Sequence, residues 1–383
     1  MSPAPPRLVF VVVEDWFFAS HFLGFARAAV AAGFAVTVVT RVRDHRAAIE
    51  ATGARVIPLE ANRKSLNPLA MAAQVLRLGA ILKAERPDIL HLIGLKPIAV
   101  GAPAARLAGV HRRVAALTGL GFVGAGQDGK ARLARCIVRR LVRPLADGHA
   151  TRFLFENRTD PVTLGFDPGD TAKVTIIGGA GVDPDALRPA PLPPTPPLRV
   201  AMIARMLWSK GVDLAVEAVT RARTRGLDVT LSLYGAPDPG NPKAVERATL
   251  EAWSERPGIR WHGPTRDIAS VWAAHHVAIQ PSRGGEGLPR TLLESAACGR
   301  AMLTTDVPGC RDLVRNGIEG FIVPPDDTDA LADALERLAR NPDLVAALGA
   351  AARSRLIEGG FTETAVTDAV IALYRAMLAE PTR

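Results

Sequence analysis

Thirteen short apolar runs, most of them rich in Val and Ile, alternate along this chain with longer stretches of helical periodicity, and that rhythm leaves few folds open. A strand that is apolar at nearly every position needs both faces covered, and parallel strands joined by crossover helices provide that cover. The runs are 8–13, 35–40, 55–58, 89–92, 113–116, 153–155 and 174–177, then 199–204, 229–233, 259–261, 277–280, 301–304 and 320–323. Between the two groups, 184–197 holds prolines at 184, 189, 191, 193, 194, 196 and 197, too many for a helix or a central strand. The expected architecture is α/β, two tandem doubly wound Rossmann-like domains facing a central cleft: 1–183, a proline-rich linker at 184–197, and 198–361. A last helical stretch, 362–383, has no strand after it and either caps the second domain or crosses back to the first.

Three cysteines, Cys136, Cys298 and Cys310, lack Cys-x-x-Cys spacing, so neither a disulfide framework nor a zinc site is expected. No stretch reaches 18 apolar residues, and the first run stops at Glu14 and Asp15. Neither a signal peptide nor a spanning helix is expected, which points to a cytoplasmic protein. The net charge of +9 is unevenly placed. Residues 1–190 hold 25 Lys and Arg against 15 Asp and Glu, the remainder 22 against 23. A one-sided excess implies an acidic partner for the first half, such as nucleic acid, an anionic membrane surface or a phosphorylated substrate. No nucleic-acid module appears. Arg132, Arg135, Arg139 and Arg143 are spaced by three, four and four on one helical stripe, with Leu133, Ile137, Leu141 and Leu145 on another face. This pattern suits an anionic membrane surface or a lipid diphosphate, and equally a solvated face over a leucine-packed core.

The richest segment is 281–299, Pro-Ser-Arg-Gly-Gly-Glu-Gly-Leu-Pro-Arg-Thr-Leu-Leu-Glu-Ser-Ala-Ala-Cys-Gly, directly after an apolar run. It reads as strand, glycine loop and helix, with Pro289 in the first helical turn and Gly299 past the end. Gly284, Gly285 and Gly287 let the backbone approach a ligand, and the helix start at Leu288 and Pro289 offers N–H groups to an anion. Glu286 in the loop and Glu294 in the helix are suited to accept hydrogen bonds from sugar hydroxyls. A plainer reading makes the glycines a tight turn and the acids solvated. Arg205, just past a run, and Lys210, before the next helix, would converge on a pyrophosphate or stand as ordinary surface cations.

Together these segments resemble glycosyltransferase family 4, whose members have the two-domain GT-B fold. The resemblance rests on Arg205 and Lys210 in Arg-Met-Leu-x-x-Lys-Gly and on Glu286 and Glu294 in Glu-Gly-Leu-Pro-x-x-x-x-Glu. It extends through 304–317 and 320–324 and covers nearly all of 198–360. The first half departs from it, with Glu14-Asp-Trp-Phe-Phe-Ala-Ser-His21 where family members often carry a glycine-rich loop. His91-Leu-Ile-Gly-Leu-Lys-Pro97 and Leu117-Thr-Gly-Leu-Gly121 are similar to a subgroup that builds bacterial surface polysaccharides on undecaprenyl diphosphate. No catalytic histidine carries over.

The resemblance implies a retaining glycosyltransferase that takes a nucleotide sugar, a UDP-sugar, and extends a polyprenyl-diphosphate-linked glycan. Arg205, Lys210 and Glu286 would carry the chemistry, with Gly285, Gly287, Leu288, Pro289 and Glu294 completing the donor site. Lys96, His91 and the four arginines are the acceptor-side candidates, on a protein peripheral to the membrane; the plainer readings are a satisfied strand-end histidine at 91 and a helix-start surface lysine at 96. Asp183-Pro-Asp185 has a metal-like spacing but abuts the linker, so no metal and no cofactor are expected. A nucleotide-sugar epimerase on the same fold, or a non-catalytic sugar-nucleotide-binding protein at the membrane surface, are the alternatives.

Overall fold

The computed structural model describes residues 4–60, 67–120, 129–142, 147–238 and 240–381. All thirteen apolar runs become strands: β1 (Arg7–Glu14), β2 (Ala35–Arg41), β3 (Arg55–Pro58), β4 (Ile89–Ile93), β5 (Arg113–Leu117), β6 (Thr151–Phe155) and β7 (Val174–Ile176), then β8 (Leu198–Ile203), β9 (Val229–Tyr234), β10 (Ile259–Gly263), β11 (Val277–Gln280), β12 (Ala301–Thr305) and β13 (Gly320–Val323). They form a seven-stranded sheet in the order β3-β2-β1-β4-β5-β6-β7 and a six-stranded sheet in the order β10-β9-β8-β11-β12-β13. Both sheets pair in parallel, and every residue of β4, β5, β11 and β12 is buried, the polar His91, Arg113, Gln280, Thr304 and Thr305 among them. The edge strand β10 instead alternates between buried and exposed positions. The strand order reverses between β1 and β4 in the first sheet and between β8 and β11 in the second, and crevices for ligands form at such points.

The described residues divide into two compact units, one holding those before 181 together with those from 363 onward, the other holding 181–362. The helix Glu363–Ala379 therefore belongs to the first unit. Val366, Val370, Ile371, Tyr374 and Met377 are buried in one cluster with Phe10, Phe18, Phe22 and Phe25. Each such side chain contributes roughly 1.5–3 kcal/mol on burial, so the last helix is part of the first core. Arg112 donates to the carbonyls of Met377 (2.6 Å) and Glu380 (2.7 Å), which would otherwise end this helix without partners.

The proline-rich segment is strapped to the second unit. Carbonyls of Pro184 and Leu187 accept from Arg353, that of Ala190 from Arg300 and that of Pro193 from His276. Because His276 Nδ1 accepts from the Arg199 amide (2.9 Å), the ring proton sits on Nε2 and faces Pro193. A stretch that cannot pair as a strand thus has its carbonyls satisfied by side chains.

Candidate active site

Strands β8 and β11 are neighbours, so the loops at their carboxyl ends, 204–211 and 281–289, meet at the switch point of the second sheet. Gly211 makes that approach possible. Its φ is +72°, and a Cβ there would lie 2.0 Å from the Pro281 carbonyl oxygen. Arg283 laces the loops together, donating to both Asp213 oxygens (2.8 and 2.7 Å), to Asp326 (2.6 Å) and to the Trp208 carbonyl (2.5 Å), while its amide donates to Ser209 (2.9 Å). The Asp213 bonds, foremost among these contacts, raise the affinity of the guanidinium for its proton.

Across this junction Lys210 Nζ donates to Glu286 Oε1 (2.8 Å) and Oε2 (2.7 Å). Ser282 Oγ donates to Oε1 (2.6 Å) and accepts from Gln280 Nε2 (2.8 Å). Arg205 pairs with Asp238 (3.1 Å), and Glu294 accepts from Arg290 (2.8 Å) one helical turn away. The two cations read from the sequence as converging on a ligand therefore each hold an acid at rest. Burial raises the Glu294 pKa, and Arg290 opposes that rise. The thiols Cys298 and Cys310 are pushed up to about 11 and about 12, burial leading in both, so neither is a nucleophile at neutral pH.

The helix runs Arg290–Ala297, with Pro289 as its N-cap, one residue later than the sequence suggests, and no side chain caps it. Gly299 takes the expected left-handed conformation (φ +68°), and Gly285 does so within the loop (φ +75°). Leu288 is buried with Leu292 and Leu293, so its side chain serves the core and its backbone faces the loop. Gly287 matters for another reason: its carbonyl lies under Gly309 of the helix Pro308–Leu313. Asp213, Asp238, Ser282, Arg283 and Asp326 escaped the sequence reading. Ser282 and Arg283 lie inside the motif; Asp238 and Asp326 lie in turns whose sequence signals only a bend.

Several first-unit candidates change meaning. His91, expected on the acceptor side, lies in the middle of β4, fully buried, bonded through Nδ1 to the Tyr374 hydroxyl; burial lowers its pKa to about 3. It is a core residue joining β4 to the last helix and cannot meet an acceptor. Its folded-state pKa is depressed, so the stability it supports is present above the unfolded value of 6.5 and is lost as pH falls toward about 3. Lowering the pH from 7 to 4 should thus cost this unit on the order of 3 kcal/mol through His91. His91→Leu should flatten the pH dependence of the melting temperature, and an unchanged slope would refute the assignment.

Lys96 is the second residue of the helix Leu95–Ala108, beside the switch point of the first sheet, and desolvation lowers its pKa. The arginine stripe is not one continuous helix. An α-helix covers Gly129–Ile137, with Arg132 and Arg135, and a π-helical turn covers Val138–Val142, with Arg139. Arg132 and Arg139 are exposed and Arg135 is half-buried; Arg143, Leu145 and Gly121 lie outside the described residues. Leu133 (62% exposed) and Ile137 (47%) do not pack on a core. Where relatives often have a glycine-rich loop, Asp15 is fully buried and accepts from the amides of Arg43 (2.6 Å) and His45 (3.0 Å), holding the loop after β2. Among the described residues no helix is long and apolar enough to cross a membrane, and no group of three His, Cys, Asp or Glu is placed to hold a metal.

A family model described as Glycosyl transferase 4-like matches residues 7–157, and one described as Glycosyl transferases group 1 matches 197–341. Among curated relatives, the Campylobacter jejuni N,N'-diacetylbacillosaminyl-diphospho-undecaprenol alpha-1,3-N-acetylgalactosaminyltransferase is 26% identical over 322 residues, 81% of this chain and 83% of that protein. The putative colanic acid biosynthesis glycosyltransferase WcaL of Escherichia coli is 27% identical over 52% of this chain and 51% of its own. Among solved structures, a glycosyltransferase from Rickettsia africae superposes with a TM-score of 0.78 at 18% identity, covering 99% of this chain and 100% of that one. Anabaena HepE, solved with UDP and glucose, superposes with a TM-score of 0.77 at 16% identity over 96% of this chain and 99% of its own. With one model matched on each sheet and the GT-B architecture reproduced, the chain belongs to the group 1, family 4-like glycosyltransferases.

Proposed function

We propose that this glycosyltransferase moves a sugar, with retention of configuration and without a metal ion, from a UDP-sugar to a polyprenyl-diphosphate-linked acceptor in bacterial surface glycan synthesis. The observation that carries the reading is the Lys210–Glu286 pair at the switch point, with Arg205 on the same loop as Lys210 and Glu294 in the helix that follows Glu286. As the bond from sugar C1 to the phosphate oxygen breaks, charge grows on the leaving diphosphate. Arg205, Lys210 and the helix-start amides stabilise that charge more in the transition state than in the ground state. The acceptor oxygen bonds C1 on the face the phosphate leaves, and its proton passes to the departing phosphate oxygen, so no side chain serves as base. Glu286 orients the sugar and Glu294 the ribose hydroxyls. The alpha linkage and the diphospho-undecaprenol in the Campylobacter relative's name, and the UDP-glucose in a second HepE structure, support the donor and acceptor classes.

The test is UDP release from a panel of UDP-sugars with and without undecaprenyl-diphosphate-linked glycans, run with EDTA. Acceptor-dependent, EDTA-resistant formation of an alpha-linked product is expected. Epimerised donor in the acceptor-free arm would instead favour the epimerase, and absence of any turnover would favour a binding protein. Within the site, Glu294→Gln should weaken UDP about tenfold, the loss of a hydrogen bond to a charged group. Glu286→Gln should leave UDP affinity within about twofold while transfer falls. Because burial raises the Glu294 pKa and a ribose hydroxyl needs the carboxylate form, UDP affinity should weaken as pH falls through that raised value. Calorimetry giving the opposite ranking would exchange the two roles.

The first unit's positive charge, together with exposed Leu133 and Ile137 beside exposed Arg132 and Arg139, supports docking on an anionic leaflet. Each arginine should contribute about 1 kcal/mol, screened over about 8 Å at physiological salt. Changing Arg132, Arg135, Arg139 and Arg143 to Gln should release the protein from anionic liposomes and slow transfer to a long-chain lipid acceptor, sparing transfer to a short soluble one. Wild-type protein that ignores anionic liposomes at low salt would sink this part of the reading.

A further inference from the structure

We propose that Ser282 is a positioning residue for Glu286, with Gln280 fixing the Ser282 hydroxyl in turn; the inference rests on the reading of Glu286 as the group that orients the donor sugar. Lys210 bonds both Glu286 oxygens at nearly equal distance, 2.8 and 2.7 Å, so by itself it does not distinguish them. Ser282 does. Its Oγ lies 2.6 Å from Oε1, and since a carboxylate only accepts, the hydroxyl hydrogen must point there. The remaining capacity of Oγ accepts from Gln280 Nε2 at 2.8 Å, which fixes that amide with its NH2 group toward Ser282.

The chain Gln280–Ser282–Glu286 is buried throughout, at 1%, 0% and 9% exposure. It carries a visible cost, since Gln280 Oε1 is buried with no hydrogen-bond partner among the described residues. An apolar side chain at this last position of β11 would remove that cost and with it the group that aims Ser282. The platform beneath is also fixed: the hydroxyls of Thr304 and Thr305 donate to the carbonyls of Gln280 (2.8 Å) and Ser282 (2.5 Å). When a diphosphate draws Lys210 toward itself, Ser282 remains to hold Oε1, so the carboxylate keeps its orientation in the loaded site.

The experiment is a double-mutant cycle on kcat for UDP release from UDP-N-acetylgalactosamine, or from UDP-glucose if only that sugar turns over, with UDP affinity measured by calorimetry alongside. Ser282→Ala should lower kcat about tenfold to a hundredfold and leave UDP affinity within about twofold. In a Glu286→Gln background the same change should cost less than about twofold, because the group it positions is already gone. Gln280→Met, which keeps the hydroxyl but releases its aim, should lower kcat about threefold to tenfold and guards against a folding defect specific to position 282. Ser282→Ala with unchanged kcat while Glu286→Gln loses it would overturn the proposal and leave the reading of Glu286 intact. Full multiplication of the two effects in the double variant would also overturn it. If Glu286→Gln itself turns over normally, the reading of Glu286 fails first and the proposal with it.

Discussion

Lys210→Ala should lower kcat by about two to three orders of magnitude in protein that remains folded, and Arg205→Ala by about one to two. The difference follows from burial and partners. The Lys210 side chain is 20% exposed and faces a carboxylate that is 9% exposed, whereas Arg205 is 40% exposed and faces Asp238 at the rim. A charge in the drier position interacts more strongly with a developing phosphate charge, and water screens it less. Removing Lys210 also leaves Glu286 buried without its cation, which disturbs the sugar side as well as the phosphate side. Both losses should fall mainly on kcat, because the contacts strengthen as the leaving group charges. Steady-state rates with UDP affinities measured in parallel separate the cases. Either variant working at the wild-type rate would remove that residue from the clamp.

The sheets were legible because β4, β5, β11 and β12 are mostly apolar on both of their faces, a pattern that suits a doubly covered parallel strand. The places of Arg205, Lys210, Glu286 and Glu294, the residues proposed for the donor side, were legible because they stand at fixed offsets from those strands, and local spacing carries over into three dimensions. What spacing could not carry was partnership between distant segments. Arg205 and Lys210 read as two like charges converging on a ligand, but Asp238 and Glu286 arrive from other loops and pair with them. The plainer reading of His91 as a satisfied strand histidine holds, but its partner was out of reach for the same reason: Tyr374 comes 283 positions later. The arginine spacing read as one helix, whereas a π-helical turn at Val138–Val142 follows the α-helix there, a change of angular step that spacing alone does not signal. Glu14 and Asp15 looked like a departure from a phosphate loop; Asp15, with two main-chain amides on one carboxylate oxygen, is part of the scaffold.

Gly309→Ala should cost more activity than stability. Gly309 is buried at the second position of the helix Pro308–Leu313, and its φ is not in the left-handed region, so alanine suits its backbone. Space is the obstacle. A Cβ would fall 1.5 Å from the Gly287 carbonyl oxygen, 2.6 Å from the Gly287 carbonyl carbon and 3.2 Å from the Leu288 Cα, all main-chain atoms that no rotamer change can move. The loop beside Glu286 must retreat or the helix must lift. Overpacking of this kind costs about 1–3 kcal/mol, which a folded protein can survive. Displacing a substrate-orienting group by about 1 Å can by itself cost about a hundredfold in rate. Gly317→Ala supplies the control: Gly317 has φ +79° with nothing within 4 Å, so alanine there brings backbone strain of about 1–2 kcal/mol and no collision near the site. The two variants should melt at similar temperatures, yet only Gly309→Ala should lose about two orders of magnitude in kcat. Equal rates in the two would mean that the loop yields without moving Glu286, and the Gly287–Gly309 contact would then be packing alone.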